Sequence, residues 1–238
     1  MKIIFYSDFA CPYCYIGETR LKKAIDEILS DDTVCINEPV DLEMRSFRLD
    51  PEAPSVPEGD TVTMYAKKYR MSPMLAKHQA DKISDMGRRE GLAFDYGKTR
   101  SVNTMDAHRL VKLALTKDHE ITSKVIDNLF KAYFGKNLVL TDTDTLIEAG
   151  TTAGLSTDEI KKMLASDAYT EDVLKDEENA RSKGITGVPY FEIGDRIVSG
   201  ADSVSRFKEY ILAALSVSDI SSDKNASSHV CGPEGCSL

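Results

Sequence analysis

Two cysteines between a short apolar stretch and a helical pattern constrain the fold of this chain more than any other feature. Cys11 and Cys14 enclose Pro12 and Tyr13. The preceding residues 2–7, KIIFYS, are mostly apolar and rich in β-branched and aromatic side chains, which indicates a strand. Pro12 suits the first position of a helix, because its φ is already near helical and it has no N–H to leave unpaired. A Cys-x-x-Cys motif in this setting predicts redox chemistry.

The chemistry of the motif assigns a different role to each cysteine. At a helix start, unpaired backbone N–H groups and the positive end of the helix dipole favour a thiolate at Cys11, the dipole by roughly 0.3–1 kcal/mol. Cys14 falls one turn into the helix, where we expect it to be more buried and able to form a disulfide with Cys11. We therefore predict that Cys11 is the nucleophile and Cys14 the resolving thiol, with the hydroxyl of Tyr13 beside the sulfur.

Other interpretations of this segment stay open. The first alternative is that the pair forms half of a zinc site. No second Cys-x-x-Cys or His pair follows at zinc-finger spacing to complete such a site. Two packing cysteines are the remaining alternative. Asp8, at the end of the predicted strand, would either accept a proton from Cys14 or cap the turn, and the sequence does not decide between these roles.

The order of predicted elements is typical of a thioredoxin-like fold that carries a helical insertion. A proline-rich segment at residues 50–60 precedes a long helical block, and a strand–turn–strand pattern around Gly194 and Asp195 follows it. Without the block, the order is βαβ followed by αββα. We predict an α/β chain with a thioredoxin-like domain at 1–60 and 166–215, an inserted all-helical domain at 61–165, and a disordered tail at 216–238.

Shorter patterns predict where helices begin, end and face solvent. Ser156 followed by Glu159 is the sequence of a capping box, and Gly184 is placed to end a helix that begins near Thr170. The charged residues 175–183 are typical of a solvent-exposed helix face. The first helix is predicted to bury one apolar face, made of Leu21, Ala24, Ile25, Ile28 and Leu29.

Four motifs spread over most of the chain resemble a known family. They are SDFACPYCYIG, NTMDAHRLVKLA, LFKAYF, and GVPYFEI followed by SGAD. The chain resembles thioredoxin-fold oxidoreductases of the DsbA type, and within them the FrnE-like branch, which is related to 2-hydroxychromene-2-carboxylate isomerases. The resemblance implies a cis Val188–Pro189 peptide facing Cys11. Backbone groups of Val188 would then pair with an extended substrate strand.

The resemblance also implies a substrate groove and a competing activity. Isomerase and kappa-class glutathione transferase relatives usually carry Ser where this chain has Cys11, and they activate the thiol of glutathione. His108, on the inserted domain, would line the groove unless it is a structural histidine. Arg45, Arg48 and Arg109 are candidates for binding a glutathione carboxylate unless they are ordinary surface arginines.

A second cysteine pair, Cys231 and Cys236, lies in the tail around Gly-Pro-Glu-Gly, which can turn tightly enough for a disulfide. Some FrnE-like proteins carry a similar pair. We expect it to exchange electrons with the first pair, unless it binds metal together with His229 or has no function. Cys35 is predicted to pack in the core.

Composition excludes several classes of partner. The net charge of −9 argues against nucleic acid as the main partner, and no apolar run is long enough for a membrane helix or a secretory signal. We expect a cytoplasmic enzyme that needs no cofactor or metal and acts on protein thiols and disulfides or on small thiols such as glutathione. The alternatives are a glutathione-dependent isomerase or transferase, and a zinc-stabilised binding or chaperone-like module.

Overall fold

A computed structural model describes residues 1–31 and 39–222 of the chain, with side chains described as far as residue 215. The strands are β1 (Lys2–Ser7), β2 (Asp41–Ser46), β3 (Tyr190–Ile193) and β4 (Arg196–Ser199). The helices are α1 (Pro12–Leu29), α2 (Thr61–Lys68), α3 (Pro73–Arg89), α4 (Met105–Leu115), α5 (His119–Phe130), α6 (Thr143–Thr151), α7 (Thr157–Leu164), α8 (Thr170–Ser182) and α9 (Val204–Ser222). A 3₁₀ turn spans Tyr96–Lys98, and a π-helical turn spans Lys131–Gly135.

The four described strands form one mixed sheet in the order β2-β1-β3-β4. β1 runs parallel to β2 and antiparallel to β3, and β3 and β4 form a hairpin in which Ile193 faces Arg196. The connection from β1 to the parallel β2 passes through α1, and α2 to α7 intervene before α8 and the hairpin. This arrangement confirms the predicted α/β, thioredoxin-like fold with inserted helices. The domain boundaries remain predictions.

Aromatic side chains join the inserted helices to α1 in one core. Tyr15 of α1 stacks on Phe130 of α5, with ring centroids 4.8 Å apart, and it also contacts Phe94 and Phe134. Phe9, directly before the cysteine motif, contacts Phe130 at 4.9 Å. Each buried aromatic ring removes a large apolar area from water, so these contacts hold the helical block firmly against the motif.

The end of α8 directs the chain into the sheet. Gly184 has a φ of +73°, which a glycine adopts without strain. The N–H of Gly184 donates to the carbonyl of Arg181, and the N–H of Ile185 donates to the carbonyl of Ala180, both at 2.9 Å. These two bonds form a Schellman motif, and Ile185 then packs with Ala180 and Tyr6. The predicted helix end at Gly184 is confirmed.

Two helix predictions are wrong in part. Leu29, the last residue of α1, is exposed, so the apolar face of this helix ends at Ile28. Ser156 is the N-cap of α7 as predicted, but its hydroxyl makes no capping hydrogen bond. The carboxylate of Glu159 binds Lys117 instead, so the reciprocal bonds of a capping box do not both form.

Two further segments differ from the predictions. Residues 175–183 are not simply a solvated face, because Asp176 and Glu177 are buried and bind basic side chains of other elements. α9 continues to Ser222, beyond the predicted start of the tail at residue 216, since residues 216–222 contain no proline or glycine to end a helix. Cys35, His229, Cys231 and Cys236 lie outside the described residues.

Candidate active site

The cysteine motif lies at the start of α1, directly after β1. Cys11 is the N-cap residue and Pro12 begins the helix. The backbone N–H of Cys11 donates to the carbonyl of Asp8 at 3.1 Å, which forms a tight turn between the strand and the helix. Both cysteines are free thiols, and Cys11 is 3 % exposed and Cys14 1 % exposed. The two sulfur-bearing residues therefore lie one helical turn apart at the end of a buried strand.

The partner of the Cys11 sulfur differs from the one expected at a helix start. The Cys11 side chain makes no capping hydrogen bond with the N–H groups of α1. Its Sγ lies 3.5 Å from the carbonyl oxygen of Val188 and donates to it. The Val188–Pro189 peptide bond is cis. The sulfur of Cys11 thus faces the backbone immediately before Pro189.

Close packing of α1 against the proline loop fixes this arrangement. A Cβ atom on Gly17 would lie 3.3 Å from the ring of Pro189 and 3.1 Å from the ring of Phe191. A side chain at position 17 would therefore push α1 away from the loop. The carbonyl of Pro189 accepts a hydrogen bond from the N–H of Gly200 at 2.8 Å, which ties the loop to the end of β4.

Burial distinguishes Cys14 from an ordinary cysteine. Removal from water, followed by the neighbouring Cys11, raises the pKa of the Cys14 thiol well above its usual value. The backbone of Asp8 and the side chain of Ser7 oppose this increase but do not cancel it. Cys14 therefore keeps its proton, which suits a resolving thiol rather than a nucleophile.

The carboxylate of Asp8 anchors the turn before Cys11. It is buried and accepts hydrogen bonds from the N–H of Ala10 at 3.3 Å, the N–H of Leu49 at 2.8 Å, the hydroxyl of Thr104 at 2.8 Å and Nε2 of His108 at 3.3 Å. Burial alone would raise the pKa of Asp8, but the bonds from His108, Leu49 and Thr104 hold it below the usual value. This environment favours the turn-cap interpretation over proton acceptance from Cys14.

His108 is buried, which favours the structural-histidine interpretation over a position in a groove. Its side chain is fully buried, with Nε2 directed at Asp8 and the ring 5.1 Å from that of Phe9. Nδ1 has no hydrogen-bond partner among the described residues. The imidazole reaches Asp8 from α4, so it lies in the protein interior and not on a surface that a substrate could contact.

Arg109 was a candidate for binding a glutathione carboxylate, but its guanidinium is fully occupied inside the protein. Nε donates to the carbonyl of Ala168 at 2.7 Å and one terminal nitrogen binds Asp106 at 2.7 Å. The other terminal nitrogen donates to the carbonyls of Met163 and Ser166. Arg109 therefore holds the connection between α7 and α8.

Arg45 and Arg48 likewise have carboxylate partners within the chain. Arg45 binds Asp176 at 3.0 Å and also pairs with Glu43. Arg48 forms a two-bonded pair with Glu177, at 2.7 and 3.1 Å. The charges that were expected to bind a glutathione carboxylate are already neutralised. Arg45 lines a separate cavity whose lining residues include neither cysteine.

Comparisons with known proteins identify the family. Residues 2–212 match the family described as the DSBA-like thioredoxin domain. The chain belongs to this family. A probable DsbA oxidoreductase from Streptomyces coelicolor is 30 % identical in sequence and superimposes with a TM-score of 0.80, covering 100 % of this chain and 99 % of that one. The uncharacterized protein YwbO from Bacillus subtilis is 26 % identical over 221 residues, which cover 89 % of this chain and 96 % of YwbO.

More distant structures share the fold of this DSBA-like chain. A 2-hydroxychromene-2-carboxylate isomerase has a TM-score of 0.64 at 14 % identity, with 95 % of this chain and 100 % of that chain covered. The cytosolic disulfide reductase DsbM from Pseudomonas aeruginosa, solved with GSH, has a TM-score of 0.55 at 13 % identity, with 93 % and 98 % covered. At these identities the likeness shows the fold alone.

Sequence reasoning missed a tyrosine pair that borders the motif of this DSBA-like chain. The hydroxyls of Tyr65 on α2 and Tyr96 are 2.9 Å apart. Tyr96 also contacts Phe134, which stacks on Tyr15, the residue directly after Cys14. Burial raises the pKa of Tyr65, although the hydrogen bond with Tyr96 opposes this increase. Its only sequence signal was the four-residue spacing from Tyr69, which places both rings on one helix face.

Residues 1–31 and 39–222 contain neither a metal-binding cluster nor a membrane-spanning helix. In that part of the chain, no three His, Cys, Asp or Glu side chains come together in a group that could hold a metal ion. None of its helices is both long enough and apolar enough to cross a membrane.

Proposed function

We propose that this chain is a thiol–disulfide oxidoreductase that exchanges electrons through Cys11 and Cys14. The observation that carries this proposal is the position of Cys11, the N-cap residue of α1, whose sulfur lies 3.5 Å from the Val188 carbonyl before a cis proline, with Cys14 one turn further along the helix. A substrate sulfur that reaches Cys11 also reaches backbone groups at residue 188, which can pair with an extended chain.

The reaction proceeds in two exchange steps. The Cys11 thiolate attacks one sulfur of a substrate disulfide, and the other substrate sulfur leaves as a thiolate that takes up a proton. Cys14 then loses its proton and attacks the Cys11 sulfur, which releases the second substrate thiol. Two electrons have passed to the substrate, and a Cys11–Cys14 disulfide remains. The reverse sequence oxidises a substrate dithiol.

The proposed partners are protein thiols and disulfides, together with small thiols such as glutathione. We place the exchange in the cytoplasm, because the chain shares its fold with the cytosolic disulfide reductase DsbM. The reaction as written involves only sulfur atoms and protons, so the proposal includes no cofactor.

Reduction of insulin disulfides, driven by dithiothreitol, tests the proposal. We expect the wild-type chain to accelerate insulin precipitation and Cys11→Ser to remove this acceleration. Cys35→Ser is the matched control, since it removes one thiol outside the motif and should leave the rate unchanged. Wild-type activity in Cys11→Ser would contradict the proposal.

A glutathione-dependent isomerase is the second candidate function, and the fold shared with 2-hydroxychromene-2-carboxylate isomerase favours it. This activity would use the thiol of glutathione in place of Cys11. It predicts isomerisation of a chromene carboxylate that requires glutathione and survives in Cys11→Ser. A zinc-stabilised binding module predicts instead one equivalent of zinc in reduced, purified protein and no catalysis of either reaction.

We further propose that Cys231 and Cys236 pass electrons to or from the first pair. Two thiol pairs joined by a short flexible connection in one chain meet at an effective concentration of about millimolar, which is enough for intramolecular exchange. Cys231→Ser/Cys236→Ser should slow turnover with a protein substrate while leaving a single round of Cys11 oxidation intact. Normal cycling of this variant with every substrate and reductant would end the proposal.

A further inference from the structure

The first helical hairpin of the inserted block carries a charge opposite to that of the whole protein. Residues 61–80 contain four Lys or Arg and no Asp or Glu, although the chain has a net charge of −9. Lys67, Lys68 and Arg70 are exposed at the end of α2. Within the described residues, none of these three forms an ion pair with an acidic side chain, so their charges are available to an outside partner.

Exposed apolar side chains lie on the same hairpin. Tyr69 is 56 % exposed, Met74 is 81 % exposed and Leu75 is 45 % exposed. The ammonium group of Lys68 lies 5.7 Å from the centre of the Tyr69 ring, so charged and apolar groups form one surface. We name this surface the α2–α3 ledge, and it consists of Lys67, Lys68, Tyr69, Arg70, Met74 and Leu75.

The ledge is connected to the candidate active site through Tyr65. The Tyr65 ring contacts Tyr69 edge-on at 5.5 Å, and its hydroxyl is held by Tyr96. Tyr96 also contacts Phe134, whose ring stacks on Tyr15, the residue directly after Cys14. Tyr13, between the two cysteines, is also exposed. A continuous set of aromatic contacts therefore joins the ledge to the cysteine motif.

The extent of the surface indicates a polypeptide rather than a small thiol. α2 has 8 residues and is therefore about 12 Å long. This length corresponds to about four residues of an extended chain. A segment with acidic side chains complements the lysines, and apolar side chains in the same segment cover Tyr69 and Met74.

We propose that the α2–α3 ledge binds acidic, apolar-containing segments next to the reactive cysteine of a protein substrate. This inference rests on the proposed thiol–disulfide exchange, because it names the substrate class of that site. The exposed lysines attract the substrate and the apolar side chains retain it, while Cys11 performs the exchange.

Two cysteine peptides that differ only in charge test the proposal. Each carries leucine and phenylalanine beside its cysteine and either four glutamates or four lysines, and each cysteine is blocked as a disulfide with thiopyridine. In full-length Cys14→Ser protein, Cys11 attacks the peptide sulfur. A Cys11–peptide disulfide forms, the peptide–thiopyridine bond breaks, and thiopyridone leaves with the proton. Absorbance measures the rate, and peptide mass spectrometry locates the adduct at Cys11.

We expect the acidic peptide to react about three- to tenfold faster than the basic peptide at low salt, with the ratio approaching one at high salt. Lys67→Glu/Lys68→Glu should remove or reverse this preference. Lys161→Glu/Lys162→Glu is the matched control and should keep it, because both lysine pairs lie in the last turn of helices of 8 residues.

Each contrary result has a distinct meaning. Equal rates for the two peptides, or the same preference in both double variants, would overturn the ledge proposal while Cys11 adducts still formed. Failure of both peptides to form a Cys11 adduct would overturn the ledge proposal and the proposed function together.

Discussion

At the scale of single residues, Asp8 connects the cysteine motif to the inserted helices. Its carboxylate holds the turn before Cys11 through Ala10, the chain after β2 through Leu49, and α4 through Thr104 and His108. A buried charge is tolerated only when donors surround it, and these four donors supply that condition. The position of the motif therefore depends on one side chain whose partners come from three parts of the chain.

Asp8→Asn should destabilise the protein by about 2 kcal/mol or more at neutral pH, because an amide cannot accept from all four donors. The folded-state pKa of Asp8 lies below its usual value. Its stabilising effect is therefore complete above an unfolded-state pKa of about 3.9 and is lost as pH falls through the lower folded-state value. Urea unfolding at several pH values should show the gap between wild type and variant closing in acid.

Asp26→Asn is the control for this prediction. Asp26 is an exposed residue of α1, so the same chemical change should alter stability by less than about 0.5 kcal/mol. A loss of stability in Asp26→Asn that matched that of Asp8→Asn, or a constant gap at every pH, would contradict the role given to Asp8.

At the scale of elements, Asp176 of α8 joins three parts of the fold. It binds Arg45 at 3.0 Å, accepts the backbone N–H of Ser46 at 2.8 Å, and pairs with Lys112 of α4. The carboxylate is buried, and so is the Lys112 side chain. One residue therefore holds α8 against the edge strand β2 on one side and against the inserted helices on the other.

Asp176→Ala should lower the free energy of unfolding by about 3–5 kcal/mol, because it leaves the charge of Lys112 buried without a partner. Asp172→Ala is the matched control on the same helix. Asp172 is half exposed and lies 3.9 Å from Lys175, so its loss should change stability by less than about 0.5 kcal/mol. Urea unfolding measures both values, and equal effects of the two substitutions would contradict this account.

Sequence reasoning succeeded where a local pattern determines the structure. The helix start at Pro12, the helix end at Gly184 and the hairpin at Gly194 follow from backbone preferences of single residues, and all three are confirmed. It failed where the partner is distant in sequence. Asp176 looked like part of a solvated face because nothing near it indicates Arg45, which is 131 residues away.

The same contrast between local patterns and distant partners applies to the residues of the candidate site. Cys11 and Cys14 were found as one local motif, and Pro189 was added by resemblance to a family. The sequence left His108 and Arg109 open as groove or carboxylate-binding candidates because a motif match does not show which way a side chain points, and both lie inside the protein. Tyr65 was missed because only the folded chain brings α2 close to the motif.

At the scale of the whole molecule, the inserted helices and the sheet share one apolar core. Ion pairs reinforce this contact in the middle of α1, where Arg20 and Lys23 both bind Glu90 at 2.7 and 2.8 Å. The cysteine motif is therefore held by the sheet on one side and by the helical block on the other. A rigid frame of this kind keeps Cys14 close to Cys11 throughout the exchange, as the proposed function requires.

A redox titration of the full-length protein shows directly whether Cys11 and Cys14 form a reversible disulfide. The protein is equilibrated in buffers of defined dithiol-to-disulfide ratio and quenched in acid, and mass spectrometry then quantifies the Cys11–Cys14 disulfide. The account predicts one reversible two-electron transition, with a midpoint between about −120 and −270 mV and a tenfold change in ratio per about 30 mV. Cys11 and Cys14 that stayed unlinked at every potential, or that each paired with another cysteine, would contradict it.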